Sequence, residues 1–223
     1  MPNCIEIQLA GHQFHFLADR GLYWPARGAL FIADTHFGKE ATFRRHGIPV
    51  PAGSTEGTLN RIRRLLTQTQ ATQLCILGDM FHARSSLSAD VRDSLDAFFA
   101  AYSNLNVLLV KGNHDARLGP MPTHWPVEVV EPGIRMDDVA LGHHPEPVPE
   151  NSRLYLCGHL HPSIRVNCGK EKLGKLPCFW HSAGCLVLPA IGEFTGTHLV
   201  QPTSADTAWV VTNTEIFEFA VPR

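Results

Sequence analysis

The sequence predicts an α/β fold in which a parallel sheet with helices is joined, in the same domain, to a second and mostly strand-built half. Three observations predict it. Apolar runs at 29–33, 74–77 and 105–110, broken only by Asn106, have the length and composition of strands buried on both faces. Amphipathic patterns of helical period alternate with them, which is the signature of parallel β-α-β units. After Gly119 the texture changes to short strand-like runs punctuated by turns, with few helical patterns.

Taken in order, Ile5, Ile7 and Leu9 alternate with polar residues, Ala10-Gly11 turns the chain, and Phe14 and Phe16 resume the alternation. That is an opening hairpin with one face buried. Tyr23, Trp24 and Pro25 read as packing in a connection, and the strand at 29–33 then ends at Asp34-Thr35-His36. A loop leads through Arg44 and Arg45 to the run Ile48-Pro49-Val50-Pro51-Ala52-Gly53, which excludes helix because each proline biases its predecessor to an extended form. Ser54 or Thr55 is placed to cap a helix carrying Leu59, Ile62, Leu65 and Leu66 on one side. The strand at 74–77 ends at Gly78-Asp79, and Ser88 caps a helix with Val91, Leu95, Phe98, Phe99 and Tyr102 at helical spacing. The strand at 105–110 runs into Lys111-Gly112-Asn113-His114-Asp115. Further strand-like runs fall at 127–130, 139–141, 154–157, 185–188, 208–211 and 216–219. There is no internal repeat and no low-complexity linker, so the expectation is a single domain over residues 1–223 with two sheets.

Composition bounds the function classes. Hydrophobic residues at 44% and charged residues at 18% exclude a disordered chain. The net charge of -2 argues neither for nor against a nucleic-acid partner. Its distribution says more: residues 39–64 hold six basic side chains against two acidic ones, a local +4 that leaves the remainder at -6. Some of those charges are expected to be a solvated helix face. The six cysteines include no Cys-x-x-Cys pair, and Cys168 and Cys178 read as a reduced pair. The amino terminus lacks the pattern of a signal peptide, and no apolar run approaches the ~18 residues needed to span a bilayer. The expectation is a soluble cytoplasmic protein without a membrane partner.

The polar residues that follow the apolar runs carry the chemistry. They are Asp34-x-His36, Gly78-Asp79, Gly112-Asn113-His114-Asp115, His143-His144 and Gly158-His159-x-His161. Each group sits where open α/β sheets place their sites, and several adjoin a glycine that lets a ligand approach the backbone. With Asp115 set aside, they offer two carboxylates, a carboxamide and four to five imidazoles, since His143 and His144 point to opposite faces if extended and at most one ligates. Mixed nitrogen and oxygen donors suit Mn, Fe or Zn rather than Mg or Ca. The set exceeds what one ion can use and fits two ions bridged by a carboxylate.

The order Asp-x-His, Gly-Asp, Gly-Asn-His-Asp, His, Gly-His-x-His resembles the calcineurin-like metallophosphoesterase superfamily. The resemblance implies two mixed sheets packed face to face with helices outside, an αββα sandwich. It implies that Asp34, His36 and His161 hold one metal, that Asn113, His143 and His159 hold the other, and that Asp79 bridges them. His143 is chosen over His144 because it falls directly at the strand end. His114 would then lie near the scissile phosphate, with Asp115 orienting it. Two loop segments, Phe43-Arg44-Arg45-His46-Gly47-Ile48-Pro49-Val50-Pro51 and Leu188-Pro189-Ala190-Ile191-Gly192-Glu193-Phe194-Thr195-Gly196, resemble the ligase-associated DNA damage response endonucleases of the PdeM subfamily.

The expected reaction is phosphodiester hydrolysis assisted by two divalent ions, most simply Mn, with Fe and Zn as alternatives. Such a pair polarises the phosphoryl group and lowers the pKa of a bridging water to a usable hydroxide for in-line attack. A diester's alkoxide is a poor leaving group, and His114 is the candidate proton donor. Arg44 and Arg45 are candidates to contact flanking phosphates, where guanidinium is a bidentate match. The resemblance implies DNA as substrate, in repair, with a DNA ligase and a helicase as pathway partners. The alternatives are a phosphatase or phosphodiesterase of a small nucleotide or lipid-linked substrate, and a scaffold without catalysis. The scaffold has no need of a filled ligand set. His82 is left out as a neighbour, and His12, His15, His46, His124, His181 and His198 are read as structural or exposed.

Overall fold

Three apolar runs that are buried on both faces need cover on both, and that requirement shapes the molecule. The computed structural model describes residues 3–45, 47–50, 53–119, 121–168 and 171–220, with only the backbone at 167–168 and 171–173. His46, Pro51, Ala52 and the side chain of Cys168 therefore lie outside the described residues, while Cys178 is a free, buried thiol.

The first sheet has the order β1 (Cys4–Leu9), β2 (His12–Leu17), β3 (Gly21–Trp24), β4 (Ala29–Ile32), β5 (Gln73–Leu77), β6 (Asn106–Val110) and β7 (Val127–Val130). Its first four strands meander antiparallel, and β4 to β7 run parallel. Helices α1 (Lys39–Arg45), α2 (Ser54–Thr69) and α3 (Ala89–Ala101) occupy the crossovers. The second sheet is built from β8 (Ile134–Met136), β9 (Val139–Leu141), β10 (Leu154–Cys157), β11 (Pro162–Cys168), β12 (Glu171–Ser182), β13 (Cys185–Val187), β14 (His198–Leu199), β15 (Thr207–Val211) and β16 (Ile216–Glu218). Its central strands β9, β10 and β13 are parallel to one another. The fold is the mixed two-sheet sandwich the sequence implies.

Period-two alternation assigns each strand's two faces. Ala29, Phe31, Cys75, Leu77, Leu108 and Val110 face the second sheet, packing with Leu141, Leu154, Leu156, Phe179, Leu186 and Trp209. Leu30, Ile32, Leu74, Ile76 and Leu109 face the other way, against Leu59, Ile62, Leu65 and Leu66 of α2 and Val91, Leu95 and Phe98 of α3. The parallel strands of the two sheets end at a common edge, where the polar residues gather. Among the described residues no helix is long and apolar enough to cross a membrane.

The structure corrects several local expectations. Residues 21–24 form the buried strand β3 rather than a connection, because Leu22 and Tyr23 pair with β2 and β4. The expected loop after His36 is α1, docked by the Glu40 carboxylate, which accepts from the Thr55 amide at 3.2 Å and the Thr55 hydroxyl at 3.0 Å. Thr55 is thus committed elsewhere, and the residue capping α2 is Gly53 at φ 102°. Ser88 does precede α3, without a capping bond from its hydroxyl. The β11–β12 hairpin and the short strands β8 and β14 had no apolar run to announce them.

The seam between the sheets is aromatic. Phe16 of β2 stacks on Phe179 of β12 at 4.4 Å between ring centroids and meets Trp209 of β15 edge-on at 4.9 Å. All three are buried. Phe179→Ala is expected to cost about 3–5 kcal/mol in urea denaturation, as for other buried aromatics that leave a cavity. Phe217→Ala, at a side chain 38% exposed on β16, should cost a small fraction of that.

Candidate metal centre

Backbone strain marks the site before any side chain does. Asp34, His36, Asp79, His159 and His161 all sit at positive φ, between 46° and 69°. Left-handed backbone is uncommon for residues other than glycine, although Asp, His and Asn tolerate it best. Its concentration at five of the seven sequence-predicted ligands is the clustering that functional sites show.

Each residue is delivered by a strand end: Asp34 and His36 after β4, Asp79 after β5, Asn113 and His114 after β6, His143 after β9, and His159 and His161 after β10. Backbone bonds knit these ends together. The Asp34 amide donates to the Gly78 carbonyl at 3.2 Å, the His36 amide to the Asp79 carbonyl at 3.0 Å, and the Gly158 amide to the His143 carbonyl at 3.1 Å. Two carboxylates join in. Asp34 Oδ2 accepts from the His159 amide and Asp79 Oδ1 from the His114 amide, both at 2.9 Å.

The remaining donors face inward in overlapping groups. Asp34, His36 and His161 place ligand atoms within 4.8 Å of one another, as do Asp34, Asp79 and His143, and His143, His144 and His159. Asn113 Oδ1 lies 3.1 Å from His143 Nε2. All seven expected ligands are therefore gathered in one cluster. Backbone carbonyls fix two of the rings: His143 Nδ1–H donates to Leu77 O at 2.9 Å, and His161 Nδ1–H donates to Gly196 O at 2.9 Å. When neutral, each ring presents Nε2 as a lone pair, which is how outer carbonyls prepare histidines for a metal.

That arrangement fits cations. His143 Nε2 faces Asp79 Oδ2 at 3.4 Å, and His161 Nε2 faces Asp34 Oδ1 at 3.4 Å and His36 Nε2 at 3.3 Å. Buried Asp34 Oδ1 and His36 Nδ1 have no hydrogen-bond partner. Acceptors opposed in this way need protons or metal ions between them. Burial opposes a charge on the His143 and His161 rings, but Asp79 and Asp34 outweigh it at His143 and Asp34 outweighs it at His161, so both are raised and each gap draws a positive charge. Burial and the neighbouring charge of His161 push His36 down to about 2, so its ring is neutral and able to ligate. Burial alone would raise Asp79, but the hydrogen bond and charge of His143, with the His114 amide, outweigh it and hold the carboxyl at about 2.

Three sequence expectations change in detail. His144 does not point away from His143: the chain bends there, and the His144 ring lies 4.0 Å from that of His159 and 4.9 Å from that of His143. Asp115 does not orient the His114 ring, because its oxygens accept from the Gly112 amide at 2.9 Å and the Phe81 amide at 3.4 Å. It shapes the turn instead. The His114 ring is held by the His82 carbonyl, 2.5 Å from Nδ1, and by the stacked His82 ring at 4.9 Å, leaving Nε2 3.9 Å from Asp79 Oδ2. Arg44 and Arg45 lie in the last turn of α1. Arg44 is 4.0 Å from Asp90, and neither arginine contacts a ligand residue among those described. The cation beside the cluster is Lys39, half-buried and pushed down by burial against the opposing pull of Asp34 and Asp79. The sequence signal for Lys39 was its place three residues after His36; His82 carried only its closeness to Asp79.

A buried edge of carboxylates and imidazoles between two sheets offers candidate metal-binding groups, and family comparison gives the class of protein that carries them. The calcineurin-like phosphoesterase model matches residues 29–138, and the chain belongs to that family. It is a metal-dependent phosphoesterase, a hydrolase of phosphoester bonds. A nuclease from Pseudomonas putida, nuclease MPE, is similar over 96% of this chain and 100% of its own, at 34% identity and a TM-score of 0.84. The E. coli phosphoesterase Yfce aligns over 87% of this chain and 99% of its own, at 17% identity and a TM-score of 0.44. Comparison with curated proteins returns no match.

Gly78 sits at φ 84°, and a Cβ there would lie 2.0 Å from His143 Nδ1. Gly78→Ala is expected to displace that ring, to cost on the order of 1–3 kcal/mol from overpacking, and to weaken metal retention. Gly133→Ala, also at positive φ (98°) but with open space around it, controls for backbone strain alone. Chemical denaturation with metal analysis compares the two, and equal effects would mean the close approach to His143 is unimportant.

Proposed function

We propose that the protein is a dinuclear metal-dependent phosphodiesterase that cleaves DNA as an endonuclease of DNA repair. The observation that carries this reading is the pair of donor groups sharing Asp34 at one open edge, combined with whole-chain similarity to a nuclease. Asp34, His36 and His161 would hold one ion and Asn113, His143 and His159 the other, with Asp79 shared by both groups. His144 is close enough to join the second group. The mixed donors favour Mn, with Fe and Zn as alternatives. Two divalent cations held there would supply Lewis-acid activation of the phosphoryl group and of the attacking water.

The chain's own residues supply the rest. His114, with Nδ1–H on the His82 carbonyl, presents Nε2 on the site side and reaches solvent, placed to hold a proton for the leaving oxygen. Lys39 contributes positive charge beside the buried carboxylates. Arg44 and Arg45, on the same short helix, contact flanking phosphates of a polymer. The core shared by the two sheets supports a single domain over 1–223. A DNA ligase and a helicase are the pathway partners this reading implies, in the cytoplasm.

The test is Mn-loaded protein assayed on single-stranded DNA, duplex DNA, an aryl phosphodiester and an aryl phosphomonoester. DNA and the diester should be cleaved. His114→Ala should keep its metals and lose ~10²–10⁴ in rate, the range for a general acid. If every DNA form is left uncut while a small ester turns over well, the nuclease reading fails and a small nucleotide or lipid-linked substrate takes its place.

A further inference from the structure

A second concentration of positive charge lies outside the metal centre. The β2–β3 turn, the middle of α2, β12 and the β15–β16 turn enclose a pocket of about 440 Å³ lined by Arg20, Arg61, Arg64 and Lys175, with Asp19 as its one acidic wall. Arg61 and Arg64 belong to the basic run at 39–64, and Arg20 and Lys175 join them only in the fold. Arg64 makes a bidentate pair with Asp19 at 2.9 and 2.6 Å, and Arg61 Nε lies 3.5 Å from the same carboxylate. Asp19 and, from outside the lining, Glu193 act on all three guanidiniums, so two carboxylates face three arginines and Lys175. Arg20 is half-buried beside Arg61, and desolvation and that like charge push it down to about 10 against the pull of Asp19 and Glu193.

The pocket is connected to the metal centre through a single loop. Arg20 Nη1 donates to the Ala190 carbonyl at 3.0 Å and Arg61 Nη1 to the Ile191 carbonyl at 2.6 Å. On its other side the same loop donates from the Ile191 amide to Ala33 O at 2.9 Å and from the Gly192 amide to Asp34 O at 3.2 Å. Helix α2 gives a second ruler. Its first turn, with Thr55, adjoins His36 and Lys39, and Arg61 follows six residues later, about 9 Å along the axis.

We propose that this arginine pocket binds a backbone phosphate of the nucleic-acid strand whose scissile phosphate lies at the metal centre. Each guanidinium has five N–H donors, and the bonds named above use one or two of them, which leaves donors for phosphate oxygens. The pocket fixes how the polymer lies across the edge and gives a long strand an advantage over a short ester. This rests on the nuclease reading and adds to it a residue-level track beyond Arg44 and Arg45.

Arg20 and Arg61 support the loop, so the variant to test is R64Q/K175Q, which leaves both loop contacts in place. Mn-loaded wild type and variant are compared on a 20-nucleotide single strand over a salt series and on an aryl phosphodiester. The proposal expects ester hydrolysis within twofold of wild type and oligonucleotide affinity weakened about tenfold. The salt slope should be shallower by about 0.7, the contribution of one single-strand phosphate that the protein no longer neutralises. Unchanged affinity and slope on DNA that is still cut would overturn the pocket and leave the nuclease reading standing. Equal loss on both substrates would also overturn it, by placing these residues in active-site architecture. Saturable binding of inorganic phosphate to the wild-type pocket, with no change in the oligonucleotide slope, would make it a free-anion site and overturn the strand proposal. Wild type that neither binds nor cuts DNA would fail the nuclease reading itself and take the pocket's strand with it.

Discussion

Two buried carboxylates hold the site and the fold together at the same point. Asp34 and Asp79 each commit one oxygen to the backbone of another strand end, to the amides of His159 and His114. The other oxygen of each faces the imidazole cluster. The first of these bonds crosses from the first sheet to the second, so the gap between the sheets is fixed by a residue that also faces the reactive centre. A fully buried carboxylate left without partners is costly, and the cost is offset only if both oxygens find donors or cations. The amides meet half of that need, and cations in the cluster would meet the rest.

The backbone makes room for this convergence. At Gly78, Gly112 and Gly158 an added Cβ would lie 2.0 Å from His143, 2.3 Å from Asp79 and 2.6 Å from Asp34. Each absent side chain lets another strand's ligand pass. The left-handed conformations of Asp34, His36, Asp79, His159 and His161 turn side chains sharply off their strand ends toward a common centre. Such backbone costs on the order of 1–3 kcal/mol per residue and persists where surrounding structure over-determines it. The aromatic seam of Phe16, Phe179 and Trp209 and the two-faced strands provide that surplus.

Much of this was legible in the sequence, because the strands that carry the ligands are short apolar runs ending at glycine and polar residues. What was not legible has physical reasons. Helix α1 is seven residues without a clear apolar stripe, and its docking depends on Glu40 meeting Thr55. Strand β3 is only four residues long and is made a strand by its neighbours. The β11–β12 arm is rich in Lys and Gly and changes register between Val166 and Asn167. The orientation of His114 comes from a main-chain carbonyl, that of His82, and any residue would supply one. The mutual approach of His143, His144 and His159 needs a bend that two adjacent letters do not specify.

The central claim is that the opposed lone pairs of this cluster are built for two cations. Its most direct measurement is elemental analysis of the folded protein after gel filtration in Mn-containing buffer, with bound metal counted per chain. The account predicts two ions per chain in the wild type and a loss of at least one in Asp34→Asn, because Asp34 belongs to two of the donor groups. A firm stoichiometry at or below one in folded, unchelated wild type would contradict it.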